Sequence, residues 1–198
     1  MCDDLYEHII FDNLKFKNIL QVDSKLRSRT FIVNGVSKAY AMTGWRLGYG
    51  AGPKNLIKEI SKIQSQSTTH TSSISQAAAI EALNNSDKFI NKNKKIFQER
   101  RDLIFSKLKE YSQLQIFLPQ GSFYIYVCCN ELIGKKKDDG SEIKNDIDLS
   151  DYLLDEGVAV VPGEAFGCSN FFRISFATSN KNIEEGCKKI ISACNKLK

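Results

Sequence analysis

Strand-like segments alternate with helical segments along this chain, and this alternation limits the possible folds more than any other feature of the sequence. Residues 30–38, TFIVNGVSK, are rich in β-branched residues and end in an Asn-Gly break, which predicts a buried strand leading into a turn. Residues 46–53, RLGYGAGP, predict a second short strand, and residues 121–129, GSFYIYVCC, predict a third. Strands and helices that alternate in this way indicate an α/β fold.

Four helical segments are predicted from the spacing of their apolar residues. The first, residues 53–67, begins with a proline at a position suited to the first turn of a helix. A long helical stretch is predicted from about residue 75 to residue 111, with an interruption at residues 84–86. A shorter helix is predicted at residues 149–156, and an amphipathic helix from Asn182 onwards. The long stretch is expected to join two lobes.

The composition argues against several classes of protein. The chain has 198 residues, of which 42% are hydrophobic, and this excludes disorder as its main state. The 28 basic and 23 acidic residues give a net charge of +5, a mild excess for a nucleic-acid-binding protein. The charged segment 87–111 is open to two interpretations, a solvated face of an amphipathic helix or a basic nucleic-acid-binding surface. Its interleaved acids favour the solvated face.

The ends of the chain and its cysteines favour a reduced, cytoplasmic protein. The first ten residues, MCDDLYEHII, are acidic where a signal peptide would be basic. No apolar run approaches the roughly 20 residues that span a bilayer. The six cysteines form no Cys-x-x-Cys pair, and the chain has two histidines, so no metal site is predicted. Cys187 and Cys194, seven residues apart, are expected to line the apolar face of the last helix.

Residues 34–53, NGVSKAYAMTGWRLGYGAGP, place a single lysine, Lys38, among small residues without any acid, and Arg46 follows eight residues later. A lysine in a turn after a strand can simply extend its amine to water. Alternatively, such an amine can form a Schiff base with an aldehyde, because desolvation and a nearby cation both favour the neutral, nucleophilic form of a lysine. The spacing alone leaves both interpretations open.

The same segment closely resembles the pyridoxal-phosphate lysine segment of fold-type I aminotransferases, and most closely the class I bacterial aspartate aminotransferases with their aspartate/prephenate branch. Four further segments resemble the family in its order: DDLYEHIIF, LPQGSFYIYV, GVAVVPGEAFG and FRISFATS. The resemblance implies that residues 1–90 are the C-terminal portion of a pyridoxal-phosphate-binding large domain, with a mixed sheet flanked by helices. Residues 91–198 would then be a linker helix and a small α+β C-terminal domain.

The resemblance also implies which residues contact the cofactor ring. Lys38 would bind pyridoxal 5′-phosphate covalently and, once displaced by the substrate amine, would transfer a proton as base and acid. Asp3, three residues before Tyr6, would face the pyridine nitrogen and keep it protonated. The adjacent Asp4 is the alternative carboxylate. Tyr6 would donate a hydrogen bond to the phenolic oxygen of the cofactor.

Three more residues are implied as contacts to phosphate and substrate. Arg46 would pair with the cofactor phosphate, and a surface ion pair is its alternative role. Ser37 would add a hydroxyl to the phosphate or would serve as a turn residue. Arg173, in FFRIS, would bind the substrate α-carboxylate. Because an arginine in an apolar strand needs a partner, its alternative is a structural carboxylate.

The resemblance covers only the C-terminal half of a family subunit, and three functions follow. The first is transamination between an amino acid, aspartate in the first instance, and 2-oxoglutarate, with prephenate/glutamate exchange as a variant. It would occur in a homodimer or with a partner chain that supplies the N-terminal half, without membrane or nucleic acid. The second is an inactive fragment of a split or decayed gene. The third is a basic helical nucleic-acid-binding module.

Overall fold

The computed structural model describes all 198 residues. The chain divides into two compact units, Met1–Lys94 and Lys95–Lys198, which we call the N-terminal unit and the C-terminal unit. The division lies within helix α4 (Asp87–Leu108), so one continuous helix contributes residues to both units. The family domains that the sequence predicts, with a boundary at residue 90, stay a prediction.

The N-terminal unit contains a three-stranded sheet in the order β1-β2-β3, with β1 parallel and β3 antiparallel to β2. The strand β1 ends at Asp3, and a turn follows it. The elements of this unit are β1 (Cys2–Asp3), α1 (Ile19–Val22), β2 (Ile32–Gly35), β3 (Gly48–Ala51), α2 (Lys54–Ser67) and α3 (Ser73–Asn85).

The helices of the N-terminal unit follow the sequence prediction with small shifts. Pro53 is the N-cap of α2 and has an extended backbone (φ −56°, ψ 137°), so the helix begins one residue after the predicted start. Ser86 alone separates α3 from α4. The long helical stretch with a break near residues 84–86 is therefore confirmed.

The C-terminal unit contains a four-stranded antiparallel sheet in the order β4-β5-β7-β6. The helix α5 starts three residues before the predicted residue 149, because the Asn145 side chain accepts the backbone N–H of Asp148 at 2.9 Å and so caps the helix there. The elements of this unit, besides the end of α4, are β4 (Gln115–Ile116), β5 (Tyr124–Cys128), α5 (Asp146–Asp155), β6 (Val161–Pro162), β7 (Phe171–Ser175) and α6 (Asn180–Lys196).

The two central strands of the C-terminal sheet have one buried face and one open face. Ile125, Val127 and Phe172 are fully buried on the first face. Tyr126 and Arg173, directly opposite each other on β5 and β7, lie on the second face and are only partly buried. A mixed sheet with helices in one unit, and an antiparallel sheet with helices in the other, confirm the predicted α/β class.

Three whole-chain properties bear on cofactors and surroundings. All six cysteines are free thiols, and Cys187 and Cys194 are buried, as predicted for the inner face of α6. No cluster of histidine, cysteine and acidic side chains is arranged to hold a metal ion. None of the helices combines the length and the apolar character needed to cross a bilayer.

Candidate active site

Predicted site residues of the N-terminal unit meet at one edge of its sheet. The strands β1 and β2 are parallel, so their carboxyl ends meet at the same edge. Asp3 is the last residue of β1, Tyr6 lies in the turn that follows, and Lys38 lies in the turn after β2. The Lys38 Nζ atom is 5.9 Å from the centroid of the Tyr6 ring. Lys38 and Tyr6, which are far apart in sequence, are thus brought together by strand pairing.

A buried amide near the end of β2, Asn34, joins the strand that leads to Lys38 to the turn that carries Tyr6. Its Nδ2 atom donates to Oε1 of Glu7 at 2.6 Å, and its Oδ1 atom accepts the backbone N–H of Gly35 at 2.7 Å. The sequence analysis treated this Asn-Gly pair only as a strand break. The connecting role was missed because it depends on Glu7, which is far away along the chain.

The two adjacent acids after the start of β1 have different environments. The Asp4 carboxylate is buried and accepts a hydrogen bond from Nδ2 of Asn18, whose Oδ1 atom caps α1 through the Leu20 N–H at 2.8 Å. The Asp3 carboxylate is exposed and accepts the backbone N–H of Leu5 at 3.1 Å. Asp4 therefore has a structural role, whereas Asp3 is accessible to a ligand.

Thr43 joins Ser37 to Arg46 across the loop between β2 and β3. Its hydroxyl donates to the Ser37 carbonyl at 3.2 Å, and its own carbonyl accepts Nη1 of Arg46 at 2.9 Å. Arg46 has a left-handed backbone conformation (φ 51°, ψ 50°), which is uncommon for a residue other than glycine and is often found at functional sites. No ion pair of the chain includes Arg46, so the alternative surface ion pair is not observed.

The surroundings of this loop leave space beside Arg46 and none beside Gly35. A cavity of about 530 Å³ is lined by Arg46, Trp45 and His70, among others. At Gly35, a Cβ atom would lie only 2.9 Å from the Leu47 carbonyl oxygen. A larger residue at position 35 would therefore push β2 and β3 apart.

These groups fit the chemistry of an aldehyde-bearing pyridine phosphate. Such a molecule needs an amine for its aldehyde, a carboxylate for its ring nitrogen, a phenol for its ring oxygen and a guanidinium for its phosphate. Lys38, Asp3 and Tyr6 lie together at one sheet edge, and Arg46 is exposed without an acidic partner. The residues present therefore match the group that the sequence implied.

Burial keeps two nearby phenols protonated. Burial raises the pKa of Tyr40, and the neighbouring Tyr49 and Glu7 raise it further. The Tyr40 hydroxyl lies 3.4 Å from Nε2 of His8, in the turn that follows Tyr6. Burial likewise raises the pKa of Tyr49. The contact with Tyr40 gives His8 a structural partner in this unit.

Arg173, in the C-terminal unit, contacts two aromatic rings. Its Cζ atom lies 4.1 Å from the centroid of the Tyr124 ring and 4.2 Å from that of Phe166. No ion pair includes Arg173, so the structural carboxylate considered from the sequence is not observed. Contacts with aromatic rings supply no carboxylate to the guanidinium, so its N–H groups stay available to an external carboxylate.

The aromatic partners of Arg173 were missed in the sequence analysis. The alternation of β5 gave a signal, since Tyr124 and Tyr126 must share one face of the strand. Burial raises the pKa of Tyr126, and the positive charge of Arg173 partly offsets that effect. Phe166 gave no comparable signal, because it lies in an irregular turn outside the strands.

Comparison with known proteins gives consistent results. A family model for class I and II aminotransferases matches residues 1–190. The chain is 52% identical over 198 residues to a probable aspartate/prephenate aminotransferase of Rickettsia prowazekii (strain Madrid E), covering 100% of this chain and 50% of that protein. It is 48% identical over 198 residues to an aspartate aminotransferase of Rhizobium meliloti (strain 1021), covering 48% of that protein.

Solved structures show the same pattern. The crystal structure of the aspartate aminotransferase from Rhizobium meliloti superposes with a TM-score of 0.94 at 48% identity, covering 98% of this chain and 49% of that one. The aspartate aminotransferase from Thermus thermophilus with maleate superposes with a TM-score of 0.85 at 34% identity, covering 96% and 47%. The chain thus spans about half the length of the curated relatives it matches.

Proposed function

Because the chain belongs to the class I and II aminotransferase family, we propose that it is the C-terminal half of a pyridoxal-phosphate-dependent aspartate-type aminotransferase. The resemblance noted from five sequence segments is confirmed by the family match. One observation carries the proposal, namely the position of the Lys38 amine beside Tyr6 at the sheet edge where Asp3 ends β1. The residue roles that follow are part of this proposal.

The N-terminal unit holds the cofactor and moves the proton. Bound pyridoxal phosphate supplies an aldehyde that takes up the amino group and a protonated ring that withdraws electrons from the substrate Cα. Lys38 Nζ would hold that aldehyde carbon covalently, with loss of water, and once the substrate amine had displaced it the free amine would accept the proton from Cα and deliver it to the former aldehyde carbon. The Asp3 carboxylate accepts a charge-assisted hydrogen bond from the ring nitrogen, worth about 1.5–3 kcal/mol. Tyr6 donates to the phenolic oxygen.

Two arginines bind the anionic groups. The Arg46 guanidinium pairs with the phosphate, to which Ser37 adds its hydroxyl, and the Thr43 carbonyl holds Nη1 of Arg46 in place. Arg173 binds the substrate α-carboxylate through the N–H edges that its aromatic contacts leave available. A planar guanidinium suits both tasks, since it pairs with two oxygens at once.

Aspartate and 2-oxoglutarate are the proposed substrates, with prephenate and glutamate as the alternative pair. The relatives are named aspartate or aspartate/prephenate aminotransferases, and the Thermus thermophilus structure holds maleate, which is a dicarboxylate. The proposed role in metabolism is therefore amino-group exchange between acidic amino acids and 2-oxo acids.

The complete enzyme is proposed to include a segment equivalent to the other half of the relatives, in a homodimer or with a partner chain. The half-length match motivates this proposal. The six free thiols agree with a cytoplasmic location. The inactive fragment is the competing interpretation, since the N-terminal unit exposes apolar side chains. The nucleic-acid module has no comparable support, because the family match already accounts for the charged helix α4.

The test is co-expression of this chain with the N-terminal half of the Rickettsia prowazekii relative, followed by borohydride reduction and peptide mapping. We expect pyridoxal phosphate to be trapped on the peptide that contains Lys38. Replacing Lys38 with alanine should abolish trapping and lower transamination of aspartate by at least about 10²-fold, because the proton-transfer group is lost. Lys58→Ala, an exposed lysine on α2, is the matched control and should change neither result.

Two outcomes would contradict the proposal. A folded assembly that binds no pyridoxal phosphate and transfers no amino group would favour the inactive fragment. Binding to duplex DNA would favour the nucleic-acid module if its affinity falls with added salt at the slope expected for the release of several counterions.

A further inference from the structure

The Phe166 ring is held on Arg173 by the turn that carries it rather than by burial. The ring remains 47% exposed, although its centroid lies 4.2 Å from Cζ of Arg173 and it meets Tyr126 edge-on at 6.0 Å. A half-exposed phenylalanine in an irregular turn gains little from the core and can rotate away if its backbone shifts. The position of the ring therefore depends on what fixes residues 163–170.

Asp146, the first residue of α5, accepts hydrogen bonds from two backbone N–H groups of this turn. Its side chain is fully buried, Oδ2 accepts the backbone N–H of Glu164 at 2.8 Å, and Oδ1 accepts that of Asn170 at 3.1 Å. The two contacts lie on either side of Phe166. The buried charge is compensated by these N–H groups and by the N-terminus of α5, where a carboxylate is favoured.

The rest of the turn has few other ways to adjust. Gly163 has no room for a side chain, since a Cβ atom there would lie 2.1 Å from the Cys168 carbonyl oxygen. Asn170 has a left-handed backbone with φ 63°, and its carbonyl accepts the backbone N–H of Cys129 at 2.9 Å. One residue, Asp146, thus holds the N–H groups on both sides of Phe166 in a closely packed turn.

We propose that Asp146 is a positioning residue for Arg173, acting through the turn 163–170 and the Phe166 ring. By fixing that ring beside the guanidinium, which Tyr124 also contacts, it orients the guanidinium without occupying its N–H groups. The catalytic consequence rests on the proposed function, in which Arg173 binds the substrate α-carboxylate. The positioning itself does not, and can be measured in this chain alone.

The first measurement is the NMR resonance of Arg173 Hε in the complete 198-residue chain, which senses the ring currents of both aromatic partners. Phe166→Leu defines the displacement that follows loss of one ring. Asp146→Asn keeps the side-chain volume but replaces one acceptor oxygen with an amide donor. We expect Asp146→Asn to reproduce at least about half of the Phe166→Leu displacement.

Tyr152→Phe is the matched control, since it removes another buried hydrogen bond of α5, from the Tyr152 hydroxyl to the Ala193 carbonyl at 3.0 Å. It should leave the Arg173 resonance within about a tenth of the Phe166→Leu displacement. The proposal would be overturned if folded Asp146→Asn also left the Arg173 resonance within about a tenth of the Phe166→Leu displacement from its wild-type position.

Hydrogen exchange in the wild-type chain keeps the proposal testable if Asp146→Asn does not fold. The amides of Glu164 and Asn170 should exchange at least about 100-fold more slowly than unprotected amides, because both donate to a buried carboxylate. Exchange at unprotected rates would show that the carboxylate does not hold the turn.

Kinetics in the co-expressed assembly separate positioning from the proposed function. Asp146→Asn should raise KM for the amino acid about tenfold with kcat within about twofold, because binding of the α-carboxylate is lost in ground and transition states alike. A kcat loss with unchanged KM would contradict positioning through Arg173. An inactive wild-type assembly would count against the proposed function alone, since the NMR and exchange results would still decide the positioning.

Discussion

The two units differ in how completely they bury their apolar residues. Of the 26 buried hydrophobic residues, 20 lie in the C-terminal unit and 6 in the N-terminal unit, although the units are of similar length. In the N-terminal unit, α2 has no buried residue and β3 is exposed throughout. Ile63, Ile74 and Ile80 are 71%, 73% and 62% exposed. The C-terminal unit therefore has a hydrophobic core of its own, whereas many apolar side chains of the N-terminal unit remain exposed in this chain.

This difference in burial parallels the different roles proposed above for the two units. An exposed isoleucine forfeits about 1.5–3 kcal/mol relative to a buried one, so several in one unit weaken it substantially. The groups proposed to bind the cofactor lie in the unit with the incomplete core. Arg173 lies in the unit with the more complete core, where its guanidinium contacts two aromatic rings. Under the proposed function, the group that binds the substrate carboxylate therefore has the better-packed surroundings, while the groups that bind the cofactor depend on added structure.

The largest expected effect comes from separating the units. We expect residues 87–198, which include all of α4, to unfold in one cooperative thermal transition, because most of the core lies there. Residues 1–86 should show no cooperative transition and should aggregate through their exposed apolar side chains. Circular dichroism melts and size-exclusion chromatography would measure both. A cooperative, monomeric melt of residues 1–86 would refute the comparison.

A matched pair of isoleucines sharpens the comparison within the intact chain. Ile125→Ala, in β5, should lower the free energy of unfolding by about 2–5 kcal/mol, because it opens a cavity at a fully buried position. Ile63→Ala, in α2, should change it by less than about 0.5 kcal/mol, because that side chain is already 71% exposed. Urea unfolding would measure both, and equal losses would mean that Ile63 is covered in solution.

The effect that is smallest near neutral pH is the alkaline pH dependence of the C-terminal unit, which begins only above pH 9. Burial raises the pKa of Cys129 and of Cys194 from 9.0 to about 12, so the folded state keeps thiol protons that the unfolded state releases. This stabilisation is complete below pH 9 and is lost as the pH rises from 9 to about 12, at up to about 1.4 kcal/mol per pH unit for each thiol.

Urea midpoints between pH 8 and pH 11 would measure that loss. Cys194→Ala should reduce the slope by the share of one thiol, because it removes one of three buried groups, the third being Cys187, whose pKa burial raises to about 11. Cys2, which is only partly buried in the N-terminal unit, should react with iodoacetamide in the folded chain, while Cys129 and Cys194 should not. A flat stability profile above pH 9 would show that the two thiols are less buried than they are here.

Much of the fold was predictable because it is encoded locally. Helical spacing and a polar interruption located α3 and α4, and the β-branched run before Asn34 located β2. The shifts at element ends have local causes as well, such as the Asn145 cap of α5. The short strand β4 and the short helix α1 were missed, since segments of two and four residues carry too little periodicity to be recognised.

The sequence by itself determined the family, through motifs such as Lys38 with Arg46 eight residues later, because such spacings lie within one local segment. Only the tertiary structure decided that Asp4 binds Asn18 while Asp3 stays exposed, and that Arg173 contacts aromatic rings instead of an acid. The reason is physical. Those partners meet through strand pairing and turns between residues distant along the chain, and no local spacing encodes which groups such packing brings together.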